Sequence, residues 1–220
     1  EIKRFQKVSN QFIQKINSQF KDAKAILGGS GEKDTWLSGS HDVDVFLQFN
    51  YPKFKGKSDQ ISDLAEEKLK KIFPRIQRVH GSRDYFQLKY QSFDFEIIPI
   101  LKITKKIQAK NITDISPLHA QWVKKQGGQI VDEIRLVKKF ARAQGCYGAE
   151  SYINGLSGYV LEILTVHYGS FENLLKAAVQ WESKVTMDAG KHYKHPKEIF
   201  RTLNQSKLKS AIIVIDPVDK

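Results

Sequence analysis

Two short segments of this chain carry residues whose types and spacing suit phosphate chemistry. Gly29-Ser30 reads as a glycine-opened turn into a short helix, and twelve residues after Ser30 the triplet Asp42-Val43-Asp44 begins a strand-like run. Side chains alternate across a strand, so Asp42 and Asp44 share one face while Val43 and Val45 take the other. Two carboxylates held side by side repel each other unless a cation lies between them, and an all-oxygen ligand set favours Mg²⁺. A helix N-terminus behind a glycine turn offers backbone N–H groups to anionic oxygens. The Ser30 hydroxyl adds a donor there and Lys33, one turn on, a positive charge. Further along, Phe93-Asp94-Phe95-Glu96-Ile97-Ile98-Pro99 supplies more acids. Asp94 and Glu96 share a strand face by the same alternation, and one of them can join the first pair. Nucleotidyl transfer needs a hydroxyl nucleophile, a triphosphate held in line and metal ions that neutralise developing charge. Alone, Gly-Gly-Ser is an ordinary turn and Asp-x-Asp an exposed strand; their combination points to an active site.

Both segments need a frame. Ile2, Phe5, Val8, Phe12, Ile13, Ile16 and Phe20 recur at three- and four-residue steps, which predicts an amphipathic first helix packed across a sheet. Residues 25–28 read as a short strand and 42–49 as a second. A helix is expected over 58–73, with Ile61, Leu64, Leu69 and Phe73 inward, ended by Pro74. Three strands follow at 76–79, 85–90 and 93–103, joined by the turn signals Gly81-Ser82 and Gln91-Ser92. From Ser116 the pattern turns helical, over 118–125, 129–144, 157–168 and 171–181, before a last strand at 211–215. The expected organisation is α+β: a mixed head over residues 1–110 and a mainly helical unit over 111–220.

Composition narrows the partners. The 36 Lys and Arg against 24 Asp and Glu give a net charge of +12, which favours a polyanion over a neutral small molecule. The single cysteine, Cys146, excludes an intrachain disulfide and a cysteine zinc cluster, and reads as a small buried residue. His192 and His195 lack an acidic or third histidine neighbour, so no metal role is expected of them. With no apolar run near the ~20 residues of a membrane span and no signal peptide, a cytoplasmic protein without a membrane partner is expected.

The order Gly-Ser, a dozen residues, then acidic-x-acidic resembles the nucleotidyltransferase superfamily of DNA polymerase β type. Within it the chain is similar to the class I, archaeal-type CCA-adding enzymes, tRNA nucleotidyltransferases that build CCA at the tRNA 3′ end without a template. The likeness runs through residues 29–47 and then Pro117-Leu118-His119-x-x-Trp122, Glu133-x-Arg135-Leu136-x-Lys138, Tyr147-Gly148-Ala149-Glu150, Gly155-x-Ser157-Gly158-Tyr159, Tyr168-Gly169-Ser170-Phe171 and Asp216-Pro217-Val218-Asp219.

That resemblance implies a nucleotidyltransferase head with a mixed or antiparallel sheet and flanking helices, followed by a helical domain. It implies Mg²⁺ on Asp42, Asp44 and Glu96, with Asp94 kept beside Glu96 as a candidate. Gly29, Ser30 and Lys33 would hold the triphosphate, Lys33 standing where the family usually has Arg. His119, Lys138 and Tyr147 would contact the nucleotide. The implied substrates are tRNA, CTP and ATP. Two departures stand out. The family pattern is Glu-x-Asp with a distal Asp-x-x-Pro, whereas this chain has Asp42-x-Asp44 and Glu96-Ile97-Ile98-Pro99. Family members also continue past Asp-Pro-Val-Asp into arginines and a tRNA-gripping tail. The chain is therefore expected to be a fragment, one part of a split enzyme completed by a second polypeptide, or a reduced relative. Two rival readings share the motif: an oligoadenylate synthetase or poly(A) polymerase, and a non-catalytic RNA-binding subunit. Lys102, Lys105, Lys106 and Lys110 are candidates to meet the tRNA backbone, although solvated lysines are the ordinary case.

Overall fold

The apolar spacing of the first twenty residues folds as α1 (Ile2–Asn17), whose Phe5, Val8, Phe12 and Ile16 are buried. This is a computed structural model, and it describes residues 1–219. The backbone divides into two compact units, Glu1–Ala120 and Gln121–Lys220.

In the first unit α1 leads into β1 (Ala23–Leu27), α2 (Gly29–Glu32), β2 (Asp42–Asn50), α3 (Tyr51–Phe54), α4 (Ile61–Ile72), β3 (Gln77–Val79), β4 (Tyr85–Tyr90) and β5 (Phe93–Lys102). The strands form one mixed sheet in the order β1-β2-β5-β4-β3. Only β2 and β5 run parallel; the other neighbours are antiparallel. One sheet face is closed by aromatic packing. The Phe12 ring lies 3.9 Å from Phe95 and 4.9 Å from Phe73, centroid to centroid. The β4–β5 hairpin turns through Gln91 and Ser92, at φ of 47° and 72°. Positive φ at both loop residues matches the twist of the flanking strands.

The far end of β5 is tied down by a buried carboxylate. Asp114, fully buried, accepts from the Arg83 guanidinium and from the backbone N–H groups of Leu101, Lys110 and Asn111 at 2.9–3.0 Å. A buried ion is tolerated where its lone pairs are satisfied in this way.

The second unit takes up α5 (Ser116–Gly127), which crosses the division, then α6 (Val131–Ala143), α7 (Gly158–Tyr168) and α8 (Phe171–Val179). It ends with β6 (Val185–Met187), α9 (Pro196–Thr202), α10 (Gln205–Leu208) and β7 (Ile212–Val214). Its core gathers Val137, Ala141, Leu161, Leu164, Leu174 and Met187. Gly169, in the left-handed region at φ 81°, terminates α7, and Ser170 caps α8 by accepting from Asn173 N–H.

Several elements differ from the sequence reading. The helix expected over 58–73 begins at Ile61, and α3, capped by Asn50 with Pro52 in its first turn, was not foreseen. Leu64, read as inward, is 37% exposed and lies at the rim of its helix's apolar stripe. The strand near 211–215 pairs in parallel with β6, a strand too short for alternation to reveal.

Candidate active site

Asp42 and Asp44 project from the start of β2, and the parallel register sets them opposite β5. Asp42 pairs with Asp94, and Asp44 pairs with Glu96. Since each pair shares a sheet face, four carboxylates occupy adjoining positions on two central strands. Their environments differ. Asp42 and Asp94 are exposed, while Asp44 and Glu96 are half-buried.

Asp44 carries the electrostatic signature of the site. Its pKa is raised to about 6, first by desolvation and then by the nearby charges of Glu96 and Asp42; Lys33 opposes them. Desolvation and like charge both disfavour the ionised form. Asp94, in contrast, has a cation near it: the Lys89 ammonium lies 3.8 Å from its Oδ1. Glu96 is held sideways by Gln87, whose Nε2 donates to its Oε1 at 2.7 Å.

The glycine turn is built against this cluster. Gly28 N–H donates to the Asp44 carbonyl at 2.8 Å, which fixes the turn to β2. Gly29 has φ of 52°, and a Cβ there would fall 1.7 Å from Asp44 Oδ2. Only glycine satisfies both the conformation and the approach. Ser30 follows in α2, with its carbonyl accepting from Thr35 N–H at 3.0 Å, and Lys33 closes the helix. Trp36, buried and stacked on Phe5 at 4.7 Å, anchors the start of the loop that leads to Asp42.

The donor set of Asp42, Asp44 and Glu96 is all oxygen, and burial with neighbouring like charge keeps the Asp44 pKa raised in spite of Lys33; both fit a hard divalent cation. Among the described residues, no three acidic, His or Cys side chains yet stand close enough to enclose a metal.

The remaining candidates lie elsewhere in the chain. His119 is half-buried on α5. Lys138, expected on a phosphate, is 2% exposed on α6 and donates to the fully buried Glu162 at 2.5 Å. Tyr147 lies close to Lys138. A Cβ on Gly158 would come 2.8 Å from the Tyr147 hydroxyl and 3.7 Å from Lys138 Cε, so both side chains pack against Gly158. Lys102 ends β5, roughly 20 Å along the strand from Glu96 at ~3.3 Å per residue, and Lys105, Lys106 and Lys110 follow it in the chain.

Sequence reasoning missed Gln87, Lys89 and the Arg83–Asp114 pair. The alternation of β4 put Gln87 and Lys89 on one face, but nothing in a single sequence reveals which residues of β5 they oppose.

The comparisons with known proteins follow the same division of the chain. A family model described as "Nucleotidyltransferase domain" matches residues 9–115, and one described as "tRNA nucleotidyltransferase, second domain" matches 132–220. The CCA-adding enzyme of Nanoarchaeum equitans is 45% identical over 89% of this chain and 48% of its own length. That of Methanosarcina acetivorans is 33% identical over 87% and 40% respectively. The chain thus spans about half the length of the curated relatives it matches. Among solved structures, a CdnC:HORMA-deltaN complex from E. coli MS115-1 is similar at a TM-score of 0.65 and 15% identity, covering 99% of this chain and 75% of that one. The polymerase core of TRAMP, an RNA surveillance complex, is similar at 0.58 and 17%, covering 98% and 71%. At such identities the likeness concerns the fold.

Proposed function

The chain belongs to the family of archaeal-type CCA-adding tRNA nucleotidyltransferases, and from that membership we propose that it transfers CMP and AMP from CTP and ATP to the 3′ end of tRNA. The observation that carries the proposal is the register of β2 against β5, which sets Asp44 opposite Glu96 beside a glycine turn that admits no side chain. Divalent metal use is typical of this family, and we assign Mg²⁺ to Asp42, Asp44 and Glu96. When bound, the metal lowers the pKa of the attacking hydroxyl and neutralises charge on the transferred phosphate.

The chain's own residues supply the rest. Gly29, Ser30 and Lys33 orient the triphosphate, with the α2 N–H groups and the Ser30 hydroxyl as donors and Lys33 as a point charge. Glu96, on the strand beside Asp44, takes the side from which the acceptor 3′-hydroxyl is deprotonated, and Asp94 is an outer acidic neighbour. His119, Lys138 and Tyr147 keep the nucleotide-contacting roles that the motif match gives them. No covalent enzyme intermediate is required, because the acceptor hydroxyl is itself the nucleophile.

The test is incubation of the chain with Mg²⁺, CTP, ATP and a tRNA ending before CCA, followed by 3′-end sequencing. Products ending in CCA support the proposal. Incorporation of ATP without CTP, or long A tails, replaces it with a poly(A) polymerase or oligoadenylate synthetase reading. Incorporation that begins only when a polypeptide carrying the remaining length of the relatives is added makes the chain one part of a two-part enzyme.

A further inference from the structure

The sheet face that carries the carboxylates continues past them. Across the strands β2, β5 and β4 one row reads Asp42, Asp94, Lys89. The row beside it reads Asp44, Glu96, Gln87 and, on β3, Gln77. Acids therefore occupy β2 and β5, and a cation and two amides occupy β4 and β3. Arg75, two residues before Gln77, joins Lys89 and Gln87 in lining a recess of about 400 Å³ that also includes Asp42, Asp94 and Glu96. Strands lie ~4.8 Å apart, so Lys89 sits one strand and the β3 flank two strands from the acids.

Displacement at phosphorus sets the entering and leaving oxygens opposite each other. The glycine turn and α2 follow β1 and abut Asp44 from the β1–β2 side. If the triphosphate leaves on that flank, the nucleophile must enter from the β4–β3 flank, where the recess and its cations are. We propose that this recess seats the single-stranded 3′ end of the acceptor RNA, with Lys89 and Arg75 taking its last phosphates and Gln87 positioning Glu96 toward its terminal hydroxyl. The inference rests on the proposed transfer reaction and adds the route by which the acceptor arrives. It assigns RNA contact to a flank other than the lysines at 102–110.

The two locations are separable by salt dependence. The full chain is titrated with a short single-stranded RNA ending in CC, over a range of salt, in three forms: unaltered, Lys89→Gln with Arg75→Gln, and Lys102→Gln with Lys105→Gln. Each phosphate contact to a single strand contributes a slope of about 0.7 in log affinity against log salt. The Lys89 and Arg75 pair is expected to lower the slope by about 1.4 and weaken binding about tenfold at low salt, while the Lys102 and Lys105 pair changes it less than about twofold. Binding of CTP with Mg²⁺ stays unchanged in both. Equal losses from the two pairs, no loss from the first, or no RNA binding by the unaltered chain overturns the proposal. The transfer assay on tRNA reports separately. A chain that adds CCA while the first pair binds RNA normally loses only the recess. A chain that adds nothing while that pair still loses RNA selectively loses only the reaction.

Discussion

Asp44 and Glu96 are direct partners in the parallel register of β2 and β5, whereas Asp94 is paired two residues away with Asp42. Residue type alone favoured Asp94, since the family carries Asp at its third acidic position. Register favours Glu96, whose charge acts on Asp44. Glu96→Gln is expected to reduce nucleotide incorporation by about 10²–10⁴-fold, the range for losing a positioned proton acceptor. Asp94→Asn breaks only an exposed pair with Lys89 and should cost less than about fivefold. Single-turnover incorporation on both variants decides between them, and a larger loss from Asp94→Asn reverses the assignment.

Gly29→Ala tests the turn. Left-handed backbone costs a non-glycine residue about 1–2 kcal/mol, and the added methyl would displace the Asp44 carboxyl. The variant should melt a few degrees lower yet lose activity far beyond that change. Thermal unfolding and incorporation measured side by side check it; near-normal activity would mean that the turn is mere structure.

Asp44 makes stability depend on pH with an unusual sign. Its pKa is raised from 3.8 to about 6 in the folded metal-free chain, so the native state binds the extra proton between those values. Stability from this group therefore falls as pH rises through about 4 to 6, by about 3 kcal/mol in all. Asp44→Asn should abolish that dependence and stabilise the metal-free chain at neutral pH while removing activity. Urea unfolding in chelator across pH 4 to 7.5 is the measurement, and an unchanged pH profile in the variant contradicts it.

Lys138→Met asks what the buried ammonium does. It leaves the fully buried Glu162 without that partner, which should cost about 3–5 kcal/mol. Adding Glu162→Gln should return much of the loss. If Lys138→Met unfolds at the normal urea concentration but no longer binds nucleotide, the ammonium serves the phosphate and not the fold.

Much of the head was legible from local pattern. Alternation placed Asp42 with Asp44 and Asp94 with Glu96, and the β4 strand lies between its two turn signals, at Tyr85–Tyr90. Three- and four-residue spacing located α1. What escaped depends on pairing between distant segments: that Gln87 reaches Glu96, that Arg83 meets Asp114, and that β6 joins β7. The burial of Lys138 escaped for a related reason. On its helix it neighbours Lys139 and Arg142, and only the position of Glu162 on α7 explains why it turns inward.

The parallel pairing of β2 with β5 also bears on how the protein acquires its site. An antiparallel neighbour needs only a tight turn, as Gln91-Ser92 provides between β4 and β5. The parallel pair joins strands separated in sequence by α3, α4, β3 and β4, a long loop whose closure costs entropy before the pairing rewards it. Hairpins and helices can thus form in a chain whose carboxylates have not yet met. During refolding, helical signal should return before the ability to bind Mn²⁺, and the interval between them times the closing of the central strands.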